Sequence, residues 1–366
     1  MRLFYCAGST IPSNSANSIH VMRMCEALAE CGHEVVLFAK RGNDEDPFAH
    51  YAVARSFELE LIEFRSRFSL IEYLRRFRRL AKPDLAVGRY LYPLLWLQMQ
   101  GVGTIYESHA PPGRIRRMLE KRLLGHDRSH GLVVITKALR KVYEQLRFVP
   151  CSDISVLPDA AVDPGVPAAL PGEGASIVGF AGGWYQGRGL ELMHELARRL
   201  PQLDFRLAGG TENELLSFGL PALDNVDCVG LLAPNAVAEF LGNCHLLLAP
   251  YQREISVHGG GENTVQWCSP MKLFEYMAQG KAIICSDLEV FHEVLTHGEN
   301  CLMVDPEDVE GWVAAIEQLV EDVELQARLA ATARENFLTH FTWKLRAQRF
   351  IERAGNRDGR AEVTPA

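Results

Sequence analysis

The chain has 366 residues, about twice the length that one compact core usually organises, and this predicts two domains. Hydrophobic residues make up 48% of it, charged residues 23% and aromatic residues 9%, globular proportions that exclude extensive disorder, a coiled coil and a collagen-like chain. The net charge of −8 is unevenly divided: residues 1–165 carry 23 Lys and Arg against 18 Asp and Glu, and the remainder carries 15 against 28. The acidic total and the lack of a recognised nucleic-acid module argue against a nucleic-acid partner.

Cysteine usage and hydropathy indicate the compartment. Nine scattered cysteines, an odd number without a CxxC pair, favour neither a disulfide framework nor a zinc site. No apolar run reaches the roughly 18 residues that cross a bilayer, and the first residues enter a strand-like segment without a signal-peptide core. We therefore expect a cytoplasmic protein with reduced thiols.

Over the first 165 residues, apolar β-rich runs alternate with amphipathic helical stretches, the pattern of helices packed on a mostly parallel sheet. Strands are predicted at residues 3–6, 34–39, 85–88, 104–107, 132–135 and 154–157. Helices are predicted at residues 18–31, 69–81, 113–124 and 137–146. A stretch rich in proline and glycine, residues 163–174, then interrupts the alternation and predicts an interdomain linker.

The alternation restarts after this linker. Strands are predicted at residues 177–181, 205–208, 227–229, 245–249, 282–285 and 301–304. Three helical stretches follow Asp305, and the last, at about 343–356, is expected to pack back on the first domain. The predicted fold class is α/β, with two doubly wound, Rossmann-like domains, residues 1–165 and 166–342, that face a central cleft. Because such sheets bind ligands outside the carboxyl ends of their strands, the chemistry is expected in that cleft.

The most informative segment is residues 269–287. Ser269 is a good N-cap and Pro270 a good first helical residue, so a helix is predicted to begin there. Its free N–H groups and dipole form a site for a phosphate, to which Lys272 adds a full positive charge. Glu275, three residues further along the same face, could accept hydrogen bonds from two ribose hydroxyls. The alternative is a core helix with a solvated lysine and glutamate.

Two glycine-rich stretches bear on this choice. Residues 259–264, just upstream, let backbone approach a ligand closely and favour the anion site over a mobile surface loop. Residues 179–191 run from a strand through a glycine-rich turn into a helix, but they match neither the dinucleotide-binding fingerprint nor a P-loop, which weakens a dehydrogenase or ATPase interpretation. Arg188 in that turn could contact a diphosphate, or it could be an ordinary surface arginine.

In the first domain, His109 lies just beyond the carboxyl end of a predicted strand, on the side where the cleft is expected. Glu107, two residues earlier, is a candidate nucleophile or a structural carboxylate. The polar loop of residues 8–20 leaves the first strand through Ser15 and Asn17 and either lines the same cleft or caps the helix that follows.

With these residues in view, the chain resembles the GT-B-fold glycosyltransferases, most closely family 4, whose members are retaining enzymes that use nucleotide sugars. The resemblance covers essentially the whole length and is most specific at residues 269–287. It implies that Arg188 and Lys272 hold the donor diphosphate, that Glu275 holds the ribose and that His109 contacts the donor sugar. It also places the following residues at the donor: Gly183, Ser269 and Met271.

The sequence departs from the family pattern at three positions. Trp267 stands where many members carry a second glutamate at the donor sugar, Gly182 and Gly183 replace a glycine-arginine pair, and Ser15 begins the pair that is usually two glycines. We expect the backbone of residues 259–264, including Gly260 and Asn263, to take over sugar recognition, and Lys272 to replace the missing charge.

These features predict transfer of a hexose-type sugar from a nucleoside-diphosphate sugar to an acceptor hydroxyl, with retention of configuration. Because fixed cations and a helix N-terminus can stabilise the leaving diphosphate, neither a metal nor a further cofactor is expected. Two alternatives stay open: a sugar-nucleotide epimerase of the same architecture, and a catalytically weak subunit that only binds nucleotide sugar.

The acceptor is not identified by the sequence, and both a saccharide and a lipid-linked acceptor are compatible with it. The acceptor-side domain contains two basic stretches in which cations alternate with apolar residues. One runs from Arg65 to Lys82 and the other from Arg114 to Arg128. Such a face could touch anionic lipid at the inner side of the membrane, or it could be an ordinary solvated helix face.

Overall fold

The structure, a computed structural model, describes residues 1–63, 69–165, 177–255 and 263–358. The chain forms two compact units. The first comprises Met1–Asp159 and the helix that begins at Trp343, and the second comprises Ala160–Thr342. The division falls at Asp159, ahead of the boundary at residue 165 placed from the sequence, and the predicted linker lies largely outside the described residues.

The first unit is built on a parallel sheet of seven described strands, in the order β3-β2-β1-β4-β5-β6-β7. The strands are β1 (Arg2–Ile11), β2 (Glu34–Arg41), β3 (Glu58–Ile62), β4 (Leu85–Gly88), β5 (Gly103–Ser108), β6 (Ser129–Val134) and β7 (Ile154–Val156). The helices are α1 (Ala16–Glu30), α2 (Pro47–His50), α3 (Ser69–Arg79), α4 (Leu91–Met99), α5 (Arg114–Leu124) and α6 (Lys137–Leu146).

The second unit contains a parallel sheet of six described strands, in the order β10-β9-β8-β11-β12-β13. The strands are β8 (Ile177–Ala181), β9 (Asp204–Ala208), β10 (Val226–Gly230), β11 (Leu246–Ala249), β12 (Ala282–Ser286) and β13 (Leu302–Val304). The helices are α7 (Leu190–Arg199), α8 (Glu212–Ser217), α9 (Pro234–Gly242), α10 (Met271–Ala278), α11 (Val309–Glu321) and α12 (Val323–His340). The core between the sheet and its helices is centred on Phe180, Phe205 and Trp312, which are fully buried.

The predicted α/β class, with two Rossmann-like parallel sheets, is confirmed. Sequence reasoning did not predict β3, α2 or α4 in the first unit. The β3 sequence alternates glutamate with leucine at the edge of the sheet, so it lacks the continuous apolar run of a buried parallel strand. The α4 sequence is apolar nearly all round and therefore shows no amphipathic period.

The final helix, α13 (Trp343–Asp358), belongs to the first unit and packs against α1. The edge of the Trp343 ring meets the ring of His20, with 5.1 Å between centroids. Strand order reverses between β1 and β4 in the first sheet and between β8 and β11 in the second, which marks the point in each sheet where ligands of doubly wound folds usually bind. Among the described residues, none of the helices is both long and apolar enough to span a bilayer.

Candidate active site

The turn between β8 and α7 lies over the strand ends of the second unit. The N–H of Gly182 donates to the carbonyl of Ala208 at the end of β9. Gly189, with φ of +87°, precedes α7, and a Cβ at this position would lie 2.1 Å from the carbonyl oxygen of Pro250, just after β11. Only glycine fits so close to that backbone, and the turn is thereby held at the point of strand reversal.

Lys272, in the first turn of α10, aims its side chain under this turn. The residue is only 8% exposed, and Nζ lies 3.8 Å from the ring centroid of Phe180 at the end of β8. A Cβ on Gly182 would lie 2.7 Å from this Nζ, so the missing side chain at Gly182 makes room for the ammonium. Among the described residues, Nζ has no hydrogen-bond partner. Burial lowers the pKa of Lys272 well below its usual range, Arg188 adds to the shift and Glu275 opposes it.

Arg188 and Lys272 meet at one aromatic ring, that of Tyr251. Arg188 donates from Nη1 to the Tyr251 hydroxyl at 3.1 Å, and its Cζ lies 5.2 Å from the ring centroid. Lys272 Nζ lies 5.0 Å from the same centroid. Two cations gathered on one phenol repel each other, and the buried Nε of Arg188 has no hydrogen-bond partner among the described residues. The arrangement is suited to a polyanionic ligand that would bind both.

The start of α10 differs by one residue from the prediction. The helix begins at Met271, and its N-cap is Pro270 rather than Ser269; the Pro270 side chain makes no capping hydrogen bond. Pro270 has an extended ψ of 112° and has no side-chain oxygen that could accept from the first N–H groups of the helix. Farther along α10, the Tyr276 hydroxyl accepts from the N–H of Ala181 and donates to the carbonyl of Leu248, which ties the helix to β8 and β11.

The other residues predicted at the donor site differ in burial and in the side chains around them. Ser269, Met271 and Glu275 are half-buried around the helix start, and Glu275 is close enough to act on the pKa of Lys272. Gly183 packs under the Tyr185 ring, 2.7 Å from where its Cβ would be. Gly260 lies outside the described residues.

Asn263 serves the loop itself. Its Oδ1 accepts from the N–H groups of Ile255 and Val265, each at 3.1 Å, and its Nδ2 donates to the carbonyl of Arg253. This side chain therefore joins the two flanks of the glycine-rich loop. The neighbouring Trp267, which stands in place of the family's second glutamate, is half-buried.

In the first unit, the predicted His109 belongs to a buried cluster around Glu107. Glu107, on β5, has a fully buried side chain, and its Oε1 accepts from His109 Nε2 at 2.6 Å and from Arg346 Nη2 at 2.8 Å. The Tyr5 hydroxyl donates to Oε2 at 3.3 Å. Burial by itself would raise the pKa of Glu107, but Arg346, His20 and His109 hold that pKa well below its usual range. A carboxylate with these partners is structural rather than a nucleophile.

His20, in α1, completes the cluster. Its Nε2 lies 3.1 Å from Glu107 Oε1, and its Nδ1 lies 2.8 Å from Asp159 Oδ1. His20, Glu107 and His109 are close enough together to be compared with a metal site. However, the Arg346 guanidinium already donates to Glu107 Oε1, and its fixed positive charge, 2.8 Å from that oxygen, disfavours a metal cation there.

The polar loop after β1 mainly serves α1. Ser15 is the N-cap of α1, and its hydroxyl accepts from the N–H of Ser18. Asn17 accepts a hydrogen bond from Arg89, which follows β4, so this pair bridges the strand reversal of the first sheet.

One motif was overlooked in the sequence. Asp44-Glu45-Asp46 has the Asp-x-Asp spacing of a metal-binding motif. In the structure Asp46 is the N-cap of α2 and pairs with Arg55, while Glu45 pairs with His50. These contacts assign the motif to the local loop.

Several residues at the two clusters were given no role by sequence reasoning. Tyr251 and Tyr276 look like core aromatics in their strand and helix contexts, although Tyr251 does follow a buried strand. Arg346 and His20 are distant in sequence from Glu107, so no local spacing predicts that they contact its carboxylate. Arg89 carried one usable signal, because it follows the carboxyl end of β4.

Comparison with known proteins agrees with this architecture. The family model "Glycosyltransferase Family 4" matches residues 18–161, and the model "Glycosyl transferases group 1" matches residues 175–322. A phosphatidyl-myo-inositol mannosyltransferase of Mycolicibacterium smegmatis is 27% identical over 43% of this chain, and the match spans only 37% of that relative.

Two solved structures share the fold over nearly the full length. Sucrose-phosphate synthase of Thermosynechococcus elongatus aligns over 99% of this chain and 100% of its own, with 16% identity and a TM-score of 0.73. HepE of Anabaena, solved in complex with UDP and glucose, aligns over 96% of this chain and 99% of its own, with 12% identity and a TM-score of 0.72.

The fold thus defines the class as that of the GT-B proteins, with one Rossmann-like sheet in each of two units. The two family models together cover most of both units. By these matches the chain belongs to the glycosyltransferases of GT-B fold, and its first unit is similar to family 4.

Proposed function

We propose that this chain transfers a hexose-type sugar from a nucleoside-diphosphate sugar to an acceptor hydroxyl, with retention of configuration and without a metal ion. The observation that carries the proposal is the buried Lys272 ammonium. It has no hydrogen-bond partner among the described residues and shares the Tyr251 ring with Arg188. A buried cation of this kind is costly unless a ligand supplies the counter-charge.

A diphosphate has the chemistry that this site lacks. Its oxygens would bind Lys272 Nζ and the Arg188 guanidinium, while the first turn of α10 offers N–H groups and the positive end of the helix dipole. As the bond to the sugar breaks, negative charge grows on the leaving diphosphate, and these fixed groups would stabilise it without reorganising. The cations would thus do the work that a divalent ion does in other transferases. HepE, which shares the fold, was solved with UDP bound.

We assign Glu275 to the ribose and His109 to the donor sugar, as the family resemblance implies. Glu275 lies on α10 near Lys272, where a carboxylate can accept from two hydroxyls. His109 is neutral at ordinary pH, because burial lowers its pKa to about 4 and Arg89 adds to the shift. A neutral imidazole can accept a hydrogen bond from a sugar hydroxyl.

Calorimetric titration and product analysis test the proposal. We expect UDP, GDP or ADP, and the matching sugar nucleotide, to bind the full chain, and Lys272→Ala to weaken that binding. Incubation with labelled sugar nucleotide and simple acceptors should give transfer or slow hydrolysis. Isomerised donor would instead indicate an epimerase, and tight binding without turnover would indicate a binding subunit. Unchanged affinity in Lys272→Ala would contradict the diphosphate site.

We further propose that the acceptor is lipid-linked and that α5 faces an anionic lipid surface. The exposed face of α5 carries four cations and no acid, and it exposes two large apolar side chains, Ile115 at 71% and Met118 at 66%. The exposed cations are Arg114, Arg117, Lys121 and Arg122. Cations around exposed apolar residues suit the interface of a membrane. One curated relative of this chain is named as a phosphatidyl-myo-inositol mannosyltransferase.

The inner side of α5 shows why the helix presents this face. Arg116 turns inward, where its Nε donates to the buried Glu120 at 2.7 Å, and the hydroxyls of Tyr106 and Tyr143 donate to the same carboxylate. The basic stretch on α3 is a weaker candidate, because Arg76 pairs there with Glu60 and Glu72. Arg65 and its neighbours up to residue 68 lie outside the described residues.

Co-sedimentation with phosphatidylglycerol vesicles at low and high salt tests the lipid contact. Reversal of two charges, Arg117→Glu with Lys121→Glu, should lower the bound fraction at least about tenfold, since each surface cation contributes about 1 kcal/mol. The same reversal at Lys137 and Lys141 on α6 is the matched control. Equal loss in both double variants, or no binding at low salt, would contradict the role of α5.

A further inference from the structure

Arg346 reaches Glu107 from the last helix of the chain. Its guanidinium is 3% exposed, donates from Nη2 to Glu107 Oε1 at 2.8 Å, and also donates to the carbonyls of Pro158 and Leu157. The contact joins α13 to β5 across 239 positions of sequence. An ion pair this deeply buried leaves an uncompensated charge if one partner is removed.

The same carboxylate oxygen decides the protonation pattern of His109. Glu107 is ionised, so it can only accept, and His109 Nε2 at 2.6 Å must carry the proton of that hydrogen bond. In a neutral ring this leaves Nδ1 as the acceptor. A protonated Glu107 would instead donate to Nε2 and move the ring proton to Nδ1.

The other charged groups around His109 come from several elements. The His20 ring of α1 packs edge-on against His109 at 4.9 Å between centroids. Arg89, after β4, disfavours the charged imidazole, whereas Glu107 on β5 and Asp159, after β7, favour it. Burial and the Arg89 charge keep His109 neutral although two carboxylates lie near the ring, and Arg346 keeps the neighbouring Glu107 ionised.

We propose that Arg346 is a positioning residue for His109. The guanidinium keeps Glu107 ionised, the carboxylate binds the Nε2–H of His109, and the ring therefore presents Nδ1 as an acceptor for a hydroxyl of the donor sugar. The part of this statement that concerns sugar rests on the proposed function; the tautomer does not. In this arrangement α13 packs on the first unit and also supplies Arg346, the charge that orients Glu107 and His109.

Nitrogen-15 spectra of the histidine side chains in the full, ligand-free chain test the tautomer directly. The His109 signal is assigned by its loss in His109→Ala. Between pH 6 and 8 we expect the Nε2–H tautomer in the wild type, in Arg346→Lys, which keeps the charge, and in Arg349→Met, a control on the exposed side of the same helix. Arg346→Gln keeps a donor for the backbone carbonyls but removes the charge, and it should give the Nδ1–H tautomer or a charged ring.

Kinetics provide the second measurement. In Arg346→Gln, kcat should fall about tenfold to a hundredfold while the donor KM stays within about twofold, because the diphosphate ligands belong to the other unit. Arg346→Lys should recover most of kcat. A purely structural role would lower the amount of folded enzyme without changing the tautomer or the shape of the kcat–pH profile.

The outcomes are separable. If wild-type His109 carries its proton on Nδ1, or is charged at pH 7, the proposal is wrong, and this result needs no folded variant. An unchanged tautomer in folded Arg346→Gln overturns it as well. If no nucleotide sugar is turned over, the proposed function fails while the spectra still decide the tautomer.

Discussion

At the scale of single residues, Lys272 is expected to lower the stability of the fold while it favours the binding of an anion. Its buried ammonium is stacked on Phe180 and near Tyr251, where a thioether would fit without a desolvation cost. We expect Lys272→Met to raise the free energy of unfolding by about 1 kcal/mol and to lower nucleoside-diphosphate affinity at least about tenfold. Denaturant unfolding and calorimetric titration measure the two effects.

Lys281 provides the matched control for that substitution. It is 2% exposed and also has a pKa lowered by burial, but it lies before β12, at the opposite end of the strand from the site. Lys281→Met should leave diphosphate affinity unchanged. If both variants lost affinity equally, the effect of Lys272 would be one of general packing.

The pH dependence of turnover follows from His109. Burial lowers its pKa from 6.5 to about 4, so the neutral ring persists as pH falls through the range in which an exposed histidine would become charged. We expect kcat at saturating donor to show no acidic limb near pH 6.5 and to stay within about twofold between pH 8 and pH 5. A limb centred near 6.5 that disappears in His109→Ala would show that the ring is not held neutral.

The site depends, at the scale of elements, on how closely the strand-end turns approach one another. Gly209, just after β9, has φ of +132°, and a Cβ there would lie 2.0 Å from the carbonyl oxygen of Gly182. Gly209→Ala should therefore displace the turn that covers Lys272. We expect a loss of about 2 kcal/mol or more in the free energy of unfolding, together with weaker diphosphate binding.

Gly219 separates backbone strain from this close approach. It also has a positive φ, +77°, but no atom of the described part of the chain lies within 4 Å of its Cβ position. Gly219→Ala should cost only about 1 kcal/mol and leave affinity unchanged. A similar loss of affinity in both variants would mean that the turns do not set the site.

At the scale of the whole molecule, the second unit is formed by one continuous segment of the chain, whereas the first is formed by two separate segments. The residues that we propose to bind diphosphate and the core around Trp312 all belong to one continuous segment, Ala160–Thr342. A fragment of residues 160–342 should fold and bind nucleoside diphosphate within about tenfold of the full chain. Thermal unfolding and calorimetry measure this.

The first unit has no such independence. A fragment of residues 1–159 lacks α13 and leaves Glu107 buried without Arg346, so we expect it to be unfolded or aggregated. Adding residues 343–358 as a separate peptide should partly restore its melting transition. A stable fragment 1–159 with a cooperative transition would contradict the need for α13.

Much of this was predictable from local sequence. Buried parallel strands are short continuous apolar runs, and those predicted in both halves of the chain are present, because β propensity and turn residues act over a few positions. The start of α10 and the position of Lys272 near it followed from the same kind of local signal, with an error of one residue at the cap.

By itself, then, the sequence determined the alternation of strands and helices, the two units and the cationic turn that begins α10, since each rests on neighbours in the chain. Tertiary structure alone decided that Lys272 is buried beside Phe180, that it shares Tyr251 with Arg188, and that Arg346 forms an ion pair with Glu107. Those contacts join segments far apart in sequence, and the cost of burying a charge depends on which partners the completed fold brings to it.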